Sequence, residues 1–474
     1  MTASAETAQH GAIALVPVVA PAADFAGPLP ADDLPAVDVC EIIESQKLNS
    51  FVVRLVAISW VVTFFDGFDL NVIAYAAPYL QSTYHLDRAA LGTVFASGSA
   101  GALLGGLLFG FIGDRIGRRR AIVAAVGLFG LFTLLLAAAD RTSELLLARF
   151  LGGIALGGAL PLIWALSIEY VPTRYRSTVV TLIMLGYGLG VCVAGPLSIA
   201  MIPHYGWQSV FIFGGIASLG AAVLVWYKLP ESLRFLAHHG ADPDRIARIV
   251  RRLIPDRRIE PSQLVFPPAP VQRSRGPAIL FDGPLRFLTP LLWLAFGASS
   301  ITMYFFVTWG PIVFEQMGLS RSGAAWSSSF NSLVGAIGAL TLMRFTDRSG
   351  PVSLAVMPII AAPLLLIMGL THLTPPVFMA FTAVMYLLLS GSHYGIQSIL
   401  GVYYPTAERA RGAGWGASIG KVGSVAAPLL GTWLLTSHVG HSPFVVLAAF
   451  PLLFAAAVIA IGVIARRNGL HATR

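Results

Sequence analysis

The sequence contains little charge for its length. Of its 474 residues, only 11% are Asp, Glu, Lys or Arg, whereas 56% are hydrophobic and the mean hydropathy is +0.75. A soluble globular domain carries about 25% charged residues, so this composition excludes an ordinary water-soluble protein. It indicates a chain that spends most of its length in a membrane.

Other features are also missing, and each absence excludes a class of protein. Cys40 and Cys192 are the only cysteines, one near the start and one in an apolar run, so no disulfide is expected. We find no phosphate-binding loop, metal-ligand cluster or nucleophile–base set. An ATP-driven pump, a metal site and an enzyme are therefore not expected, and no cofactor is required. Residues 1–50 lack the basic start of a cleavable signal peptide.

Apolar runs recur along nearly the whole chain. Their length of about 20 residues is that of a transmembrane helix, and the short alternating segments of a membrane barrel are not found. The sequence therefore predicts an all-α membrane protein with twelve transmembrane helices, at 52–80, 90–113, 121–139, 144–170, 177–202, 208–228, 288–314, 323–345, 352–372, 376–402, 412–436 and 443–465.

The basic residues predict the orientation of these helices. If the N-terminus is inside, the outer loops contain only Arg88, Arg141 and Arg321 of the 31 lysines and arginines. Cytoplasmic loops are enriched in basic residues, so both termini are predicted to be cytoplasmic. The net charge of +8 and the pI near 9.7 follow from this topology, and no nucleic-acid partner is expected.

The two halves of the chain repeat one another. "GDRIGRRR" in the first half has a weaker copy, "TDRSGPVS", in the second, and Asp114 and Asp347 are 233 residues apart. Pro172 and Pro405 have the same separation. This spacing predicts a duplication that gives two six-helix bundles, 51–228 and 288–466. A cytoplasmic linker, 229–287, would join them, with a disordered tail at 1–50 that contains a short helix near "VCEIIESQKL", and a cytoplasmic tail at 467–474.

Several stretches resemble known transporters. Two six-helix halves from a repeat are typical of secondary transporters with a site at midplane, and "GFIGDRIGRR" resembles the major facilitator superfamily signature. "FFDGFDLNV", "YFFVTWGPIVFEQMGLS" and "YYPTAERARGAGWGASIGKVG" are similar to the aromatic acid:proton symporter family. The resemblance implies a monomeric importer in the bacterial inner membrane, driven by protons. Its expected substrates are aromatic carboxylates such as benzoate, hydroxybenzoates or protocatechuate.

Two aspartates interrupt the first predicted helix. Asp66 and Asp69 are three residues apart and therefore share a helix face. Each charge costs roughly 2.5–3.5 kcal/mol inside the bilayer, and two like charges in a medium of low polarity favour the binding of a proton. They are candidates for carrying the coupled proton; the alternative is a structural pair. The resemblance implies that Arg149 is a proton-relay or substrate residue; the alternative is a structural role in a gate nearer the outer face.

The candidate substrate residues lie mainly in the second half. Lys421, where the family usually has arginine, would bind the substrate carboxylate; its alternative is an ion pair with an aspartate of the first helix. A lysine cannot form the bidentate hydrogen bonds that an arginine makes to a carboxylate. Aromatic rings and two polar side chains would contact the substrate ring, with packing as the alternative. These candidates are Tyr304, Phe305, Trp309, His393 and Gln397.

A further set of charges lies at the predicted cytoplasmic helix ends. We expect it to form a gate: Asp114, Arg115, Arg118, Glu169, Arg174, Arg176, Arg409 and Arg411. Within it, Asp114 is expected to pair with Arg409 or Arg411 when the cytoplasmic ends close. Glu169 is expected to pair with an arginine of the loop that follows it.

Two other functions compete with the import of aromatic acids. "GYGLGVCVAGPLS" resembles the motif of proton antiporters that export drugs or metabolites, but the two glycines expected after Gly195 and Pro196 are absent. The third possibility is a membrane receptor for aromatic acids, although no signalling domain is recognisable.

Overall fold

A computed structural model of the chain consists almost entirely of helices. It describes residues 37–46, 49–254, 264–265, 277–349, 351–404, 409–436 and 443–468. In the described part, eleven stretches are long and apolar enough to cross a membrane. This confirms the predicted class, an all-helical membrane protein.

The first half contains a short helix followed by six long ones. Their bounds are α1 Val39–Ser45, α2 Ser50–Tyr84, α3 Arg88–Ile116, α4 Arg118–Ala137, α5 Thr142–Glu169, α6 Thr173–Tyr205 and α7 Gln208–Lys228. Side-chain caps define where several of them begin. Asn49 accepts a hydrogen bond from the amide of Val52 at the start of α2, and Asp87 accepts one from Ala90 at the start of α3.

Two short helices precede the second half. The remaining bounds are α8 Leu233–His238, α9 Pro243–Leu253, α10 Leu285–Gln316, α11 Arg321–Ser349, α12 Val356–Leu370, α13 Pro375–Tyr403, α14 Arg409–Thr436, α15 Pro443–Leu447 and α16 Ala449–Arg467. Helix α11 has 29 residues and packs against α6 and α13. It occupies the place of the predicted eighth span, so that twelve long helical segments correspond to the twelve predicted ones.

The segments before α2 and after α7 contain more structure than a tail and a linker. Strands β1, Val37–Asp38, and β2, Leu264–Val265, pair in parallel, which the prediction of a purely helical chain did not include. The short helix predicted near "VCEIIESQKL" is α1. Its Ile42 shares a buried apolar cluster with Val250 of α9. These elements cover the end of the first half at which α2 begins.

The same pairs of helices recur in the two halves. Helix α2 packs on α6 and α3 on α5 in the first half, and α10 packs on α14 and α11 on α13 in the second. The halves meet where α3 contacts α14, α6 contacts α11 and α2 contacts α10. A site between the halves is therefore lined by these helices.

Glycines allow the paired helices to touch backbone to backbone. A Cβ atom added to Gly190 of α6 would lie 1.9 Å from the carbonyl oxygen of Phe64 in α2, well inside contact distance. By contrast, a Cβ at Gly188, two residues away, would meet no atom of the described residues within 4 Å. Helix α6 thus presents one closely packed glycine and one with open space beside it.

We predict that Gly190→Ala destabilises the protein, because the added methyl group must push α6 away from α2; overpacking of this kind costs about 1–3 kcal/mol. Gly188→Ala is the matched control and should be neutral or slightly stabilising, since alanine favours helix over glycine. Thermal unfolding of both variants in detergent is the measurement. Equal melting temperatures for the two would show that the close contact does not constrain the helix pair.

Candidate functional site

Asp69 of α2 forms a buried ion pair with Arg149 of α5. The guanidinium Nη1 lies 3.0 Å from Oδ2 of Asp69, and the two side chains are 9% and 3% exposed. The Thr133 hydroxyl lies beside the same carboxylate. The structure thus brings Arg149 together with Asp69, which were both predicted to take part in proton coupling. The pair satisfies the rule that charges inside a membrane are paired.

Asp66 has a different environment, although it is only one helical turn away. In the part of the chain that the structure describes, no basic side chain lies within 4 Å of its carboxylate, and the residue is 5% exposed. It lines a cavity of about 10 Å³ together with Ser218, whose buried hydroxyl has no hydrogen-bond partner in the described part of the chain. Such a volume holds roughly one water molecule. The two aspartates, equivalent in the sequence, are therefore not equivalent in the structure.

Lys421 of α14 reaches across the boundary between the halves. Its Nζ donates to the carbonyl oxygens of Ala102 in α3 and Gly157 in α5, at 3.1 and 3.4 Å. The expected alternative, an ion pair between Lys421 and an aspartate of the first helix, is not formed. The charges of Lys421 and Asp66 attract each other at longer range, without a direct contact. A helical carbonyl can accept a second hydrogen bond, so both contacts coexist with the helices. Among the residues that the structure describes, the hydrogen-bond partners of the ammonium group are therefore neutral.

His393 of α13 belongs to a small polar and aromatic cluster. Its Nδ1 lies 3.0 Å from the hydroxyl oxygen of Ser299 in α10. The ring of Tyr304 stands edge-on to it, with centroids 6.2 Å apart, and the ring of Phe296 lies at 5.6 Å. Tyr304 and His393, both predicted to contact substrate, are thus brought together. The side chain of Gln397 lies outside the described part.

Phe305 and Trp309 are fully buried against other protein groups. Trp309 donates from its indole nitrogen to the carbonyl of Pro428, 3.1 Å away, and packs edge-on against Phe95 of α3. Phe305 belongs to the same buried apolar cluster as Phe95 and Trp309. The structure therefore places these two predicted substrate contacts in the packing between helices, which was their alternative interpretation.

The charges at the end where α2 begins pair differently from the expectation. Glu169 forms its ion pair with Arg118 of the signature motif, which also donates to the carbonyl of Ala165 at 3.0 Å. The expected partners of Glu169 are engaged elsewhere: Arg174 donates to the carbonyl of Gln46, and Arg176 lies 3.3 Å from Glu44. The segment before α2 attracts them, because it folds against the bundle instead of remaining a free tail.

Two other gate residues are exposed, and one residue was missed. Asp114 is exposed, and the guanidinium of Arg115 lies 4.0 Å from the ring centroid of Phe111. The side chains of Arg409 and Arg411 lie outside the described part, so their pairing with Asp114 stays a prediction.

Sequence reasoning overlooked Glu231, which follows α7 and accepts a hydrogen bond from the Arg119 amide at 2.9 Å. Its position right after a predicted helix end was the available signal.

The direct contacts between the halves lie at mid-depth and toward the end at which α2 finishes. Arg88 donates to the carbonyl of Leu435 in α14, at 2.5 Å, and Arg321 of α11 lies over the ring of Tyr79 in α2. With the predicted orientation, this end faces the outside. Under the predicted orientation, the two halves therefore contact each other on the outer side.

Comparison with known proteins identifies the family. The model of the Major Facilitator Superfamily matches residues 59–330 and 292–472. This chain belongs to the Major Facilitator Superfamily. It is 32% identical to a gallate transporter of Pseudomonas putida over 425 residues, 89% of this chain and 94% of that protein. It is 31% identical to the 4-hydroxybenzoate transporter PcaK of Pseudomonas aeruginosa, over 86% of this chain and 91% of that protein. These relatives confirm the resemblance to aromatic acid transporters.

Solved structures agree with the fold. The inward-open xylose transporter XylE from E. coli matches with a TM-score of 0.69 at 16% identity, covering 87% of this chain and 95% of that one. A bacterial homologue of the lysosomal transporter Spinster, in an inward-facing conformation, matches with a TM-score of 0.63, covering 88% and 94%. Together with the family and the transporter relatives, the apolar helices identify the chain as a multi-pass membrane protein and a secondary transporter, in agreement with the prediction that it is not an enzyme.

We predict that Asp69→Asn destabilises the protein more than Asp66→Asn does. Asp69→Asn leaves Arg149 buried without its partner, which costs about 3–5 kcal/mol. Asp66→Asn leaves no buried cation without a partner. Adding Arg149→Gln to Asp69→Asn should restore most of the stability. Thermal unfolding of the unchanged protein, Asp69→Asn, Arg149→Gln and the double variant gives the coupling between Asp69 and Arg149. Additive effects of the two changes would contradict the ion pair.

Proposed function

We propose that this transporter imports an aromatic carboxylate together with protons. The observation that carries the proposal is the contrast inside the membrane: Asp66 is buried without a cation within 4 Å among the described residues, while Lys421 is held by neutral carbonyls. The names of the gallate and 4-hydroxybenzoate transporters support the substrate class. We further propose that the protein works as a monomer in a bacterial inner membrane, with both termini in the cytoplasm.

Lys421 is the proposed partner of the substrate carboxylate. Its ammonium group lies between the halves and is bound by two carbonyl oxygens instead of an anion. A carboxylate beside it would form a charge-assisted hydrogen bond, roughly twice as strong as a neutral one. The same position at the boundary of the halves lets substrate binding influence how the halves move.

The ring of the substrate would be received by the cluster around His393. The imidazole and the Ser299 hydroxyl are within hydrogen-bonding distance of each other, and Tyr304 stands edge-on to the imidazole. Rings packed edge to face are stabilised beyond simple burial. Hydroxyl groups on the substrate ring could exchange hydrogen bonds with His393 or Ser299, which fits a hydroxylated aromatic acid.

Asp66 is the proposed proton carrier. Asp69 is neutralised by Arg149 at 3.0 Å and does not need a proton to remain in the membrane. Asp66 has no such partner, so protonation is the simplest way to remove its charge. Proton coupling also has an electrical purpose, because moving an anion into a negative cell costs roughly 2.3 kcal/mol per 100 mV. One proton carried with each carboxylate cancels this cost.

The role of the proton can be tested in proteoliposomes with an imposed pH gradient, using labelled 4-hydroxybenzoate and gallate. We predict that the unchanged protein accumulates at least one of them, and that Asp66→Asn abolishes accumulation but keeps counterflow exchange. Neutralising the ion pair with Asp69→Asn and Arg149→Gln together should slow accumulation without abolishing it, because Asp66 is still present. Full accumulation by Asp66→Asn would disprove its role, and failure with both substrates would disprove the proposed substrate class.

A further inference from the structure

A second cavity lies between the two halves, apart from Asp66 and Lys421. It has a volume of about 220 Å³ and is lined by α2, α6, α10 and α11. Its charged residues, Glu315 and Arg321, stand at the end of α10 and the start of α11, which is the predicted outer side. We name it the outer vestibule.

The size of the outer vestibule suits an aromatic ring. A cavity of about 150 Å³ inside another protein is large enough to bind benzene, so about 220 Å³ accommodates a ring with a carboxylate and small substituents. The cavity beside Asp66, about 10 Å³, holds no more than water. Of these two cavities, only the outer vestibule has space for such a molecule in the present arrangement.

The walls of the outer vestibule provide the matching chemistry. Tyr75 and Tyr79 contribute aromatic rings from α2, and Ser198 contributes a hydroxyl from α6. Because Ser198 donates its own hydrogen to the carbonyl of Ala194 at 2.6 Å, its oxygen remains an acceptor for a ring hydroxyl. Arg321 supplies the positive charge. An aromatic carboxylate therefore finds a cation, ring surfaces and an acceptor in one place.

Arg321 is held loosely by a carboxylate of the protein. Its Nε lies 3.8 Å from Oε2 of Glu315, and its guanidinium carbon lies 4.9 Å from the ring centroid of Tyr79. The distance to Glu315 is longer than a charge-assisted hydrogen bond, and exposed ion pairs stabilise little; the Arg321 side chain is 59% exposed. An incoming carboxylate can therefore replace Glu315 with no change in the number of charge pairs.

We propose that the outer vestibule is a separate entry site for the aromatic carboxylate, in which the substrate displaces Glu315 from Arg321 and places its ring against Tyr75 and Tyr79. This inference rests on the proposed function, because it assigns a second site to the same substrate. It makes Glu315 a competitor of the substrate and Arg321 its first cationic contact on the outer side. Removal of the Arg321 charge should therefore weaken substrate uptake, whereas removal of the Glu315 charge should strengthen it.

The test is the concentration dependence of 4-hydroxybenzoate and gallate uptake into cells that produce the full chain. Arg321→Gln should raise KM about fivefold with little change in the maximal rate, as expected when a contact made before transport is lost. Glu315→Gln should lower KM about twofold, because the competitor is removed. The matched control is Arg141→Gln, which removes the same charge from an exposed position of the predicted outer side, away from the vestibule.

The outcomes separate the entry site from the proposed function. If the unchanged protein takes up neither compound, the proposed function fails and the entry site with it. If it takes up either compound but Arg321→Gln and Arg141→Gln change KM equally, the positive charge acts only at long range and the entry site is disproved. A rise of KM in both Arg321→Gln and Glu315→Gln also disproves it, since the ion pair would then be structural. The opposite shifts of these two variants cannot arise from misfolding.

Discussion

A charge inside the hydrocarbon layer must be paired, hydrogen-bonded or neutralised, and this constraint organises the centre of the protein. Four ionisable side chains near the middle of the protein meet it in three ways. Asp69 pairs with Arg149 at 3.0 Å, and Lys421 donates to two carbonyl oxygens. Asp66 has neither arrangement among the described residues, which is why we propose that it binds a proton. The different roles proposed for Asp69, Lys421 and Asp66 therefore follow from the partners that each side chain has.

Glycines in α3 make this distribution of charge possible. A Cβ atom at Gly98 would lie 2.8 Å from Nε of Arg149, and one at Gly106 would lie 2.6 Å from Nζ of Lys421. Larger residues at these positions would push both basic side chains away from the places they occupy. Helix α3 therefore does two things at once: it packs closely against α5 within its own half and admits the lysine of α14 from the other half. The contacts that build the fold and those that position the charges are shared.

The fold could largely be predicted from the sequence, whereas the pairing of charges could not. Long apolar runs and a repeat of one spacing predict twelve helices in two halves. Both patterns depend only on the order of residues along the chain and can therefore be recognised in the sequence. Which partner a buried charge selects depends on the rotation and depth of helices that are far apart in sequence. Arg149 and Asp69 are separated by 80 residues, and Glu169 takes Arg118 because the segment before α2 engages Arg174 and Arg176. Trp309 likewise needed the positions of Phe95 and Pro428 to be recognised as a packing residue.

The central claim is that Asp66, and not Asp69, holds the exchangeable proton. Infrared difference spectroscopy of the purified protein between acidic and alkaline pH measures this directly, because a protonated carboxyl group has its own carbonyl band. The account predicts that this pH-dependent band is lost in Asp66→Asn and kept when Asp69→Asn is combined with Arg149→Gln. A band that persists in Asp66→Asn and disappears with Asp69 would contradict the account.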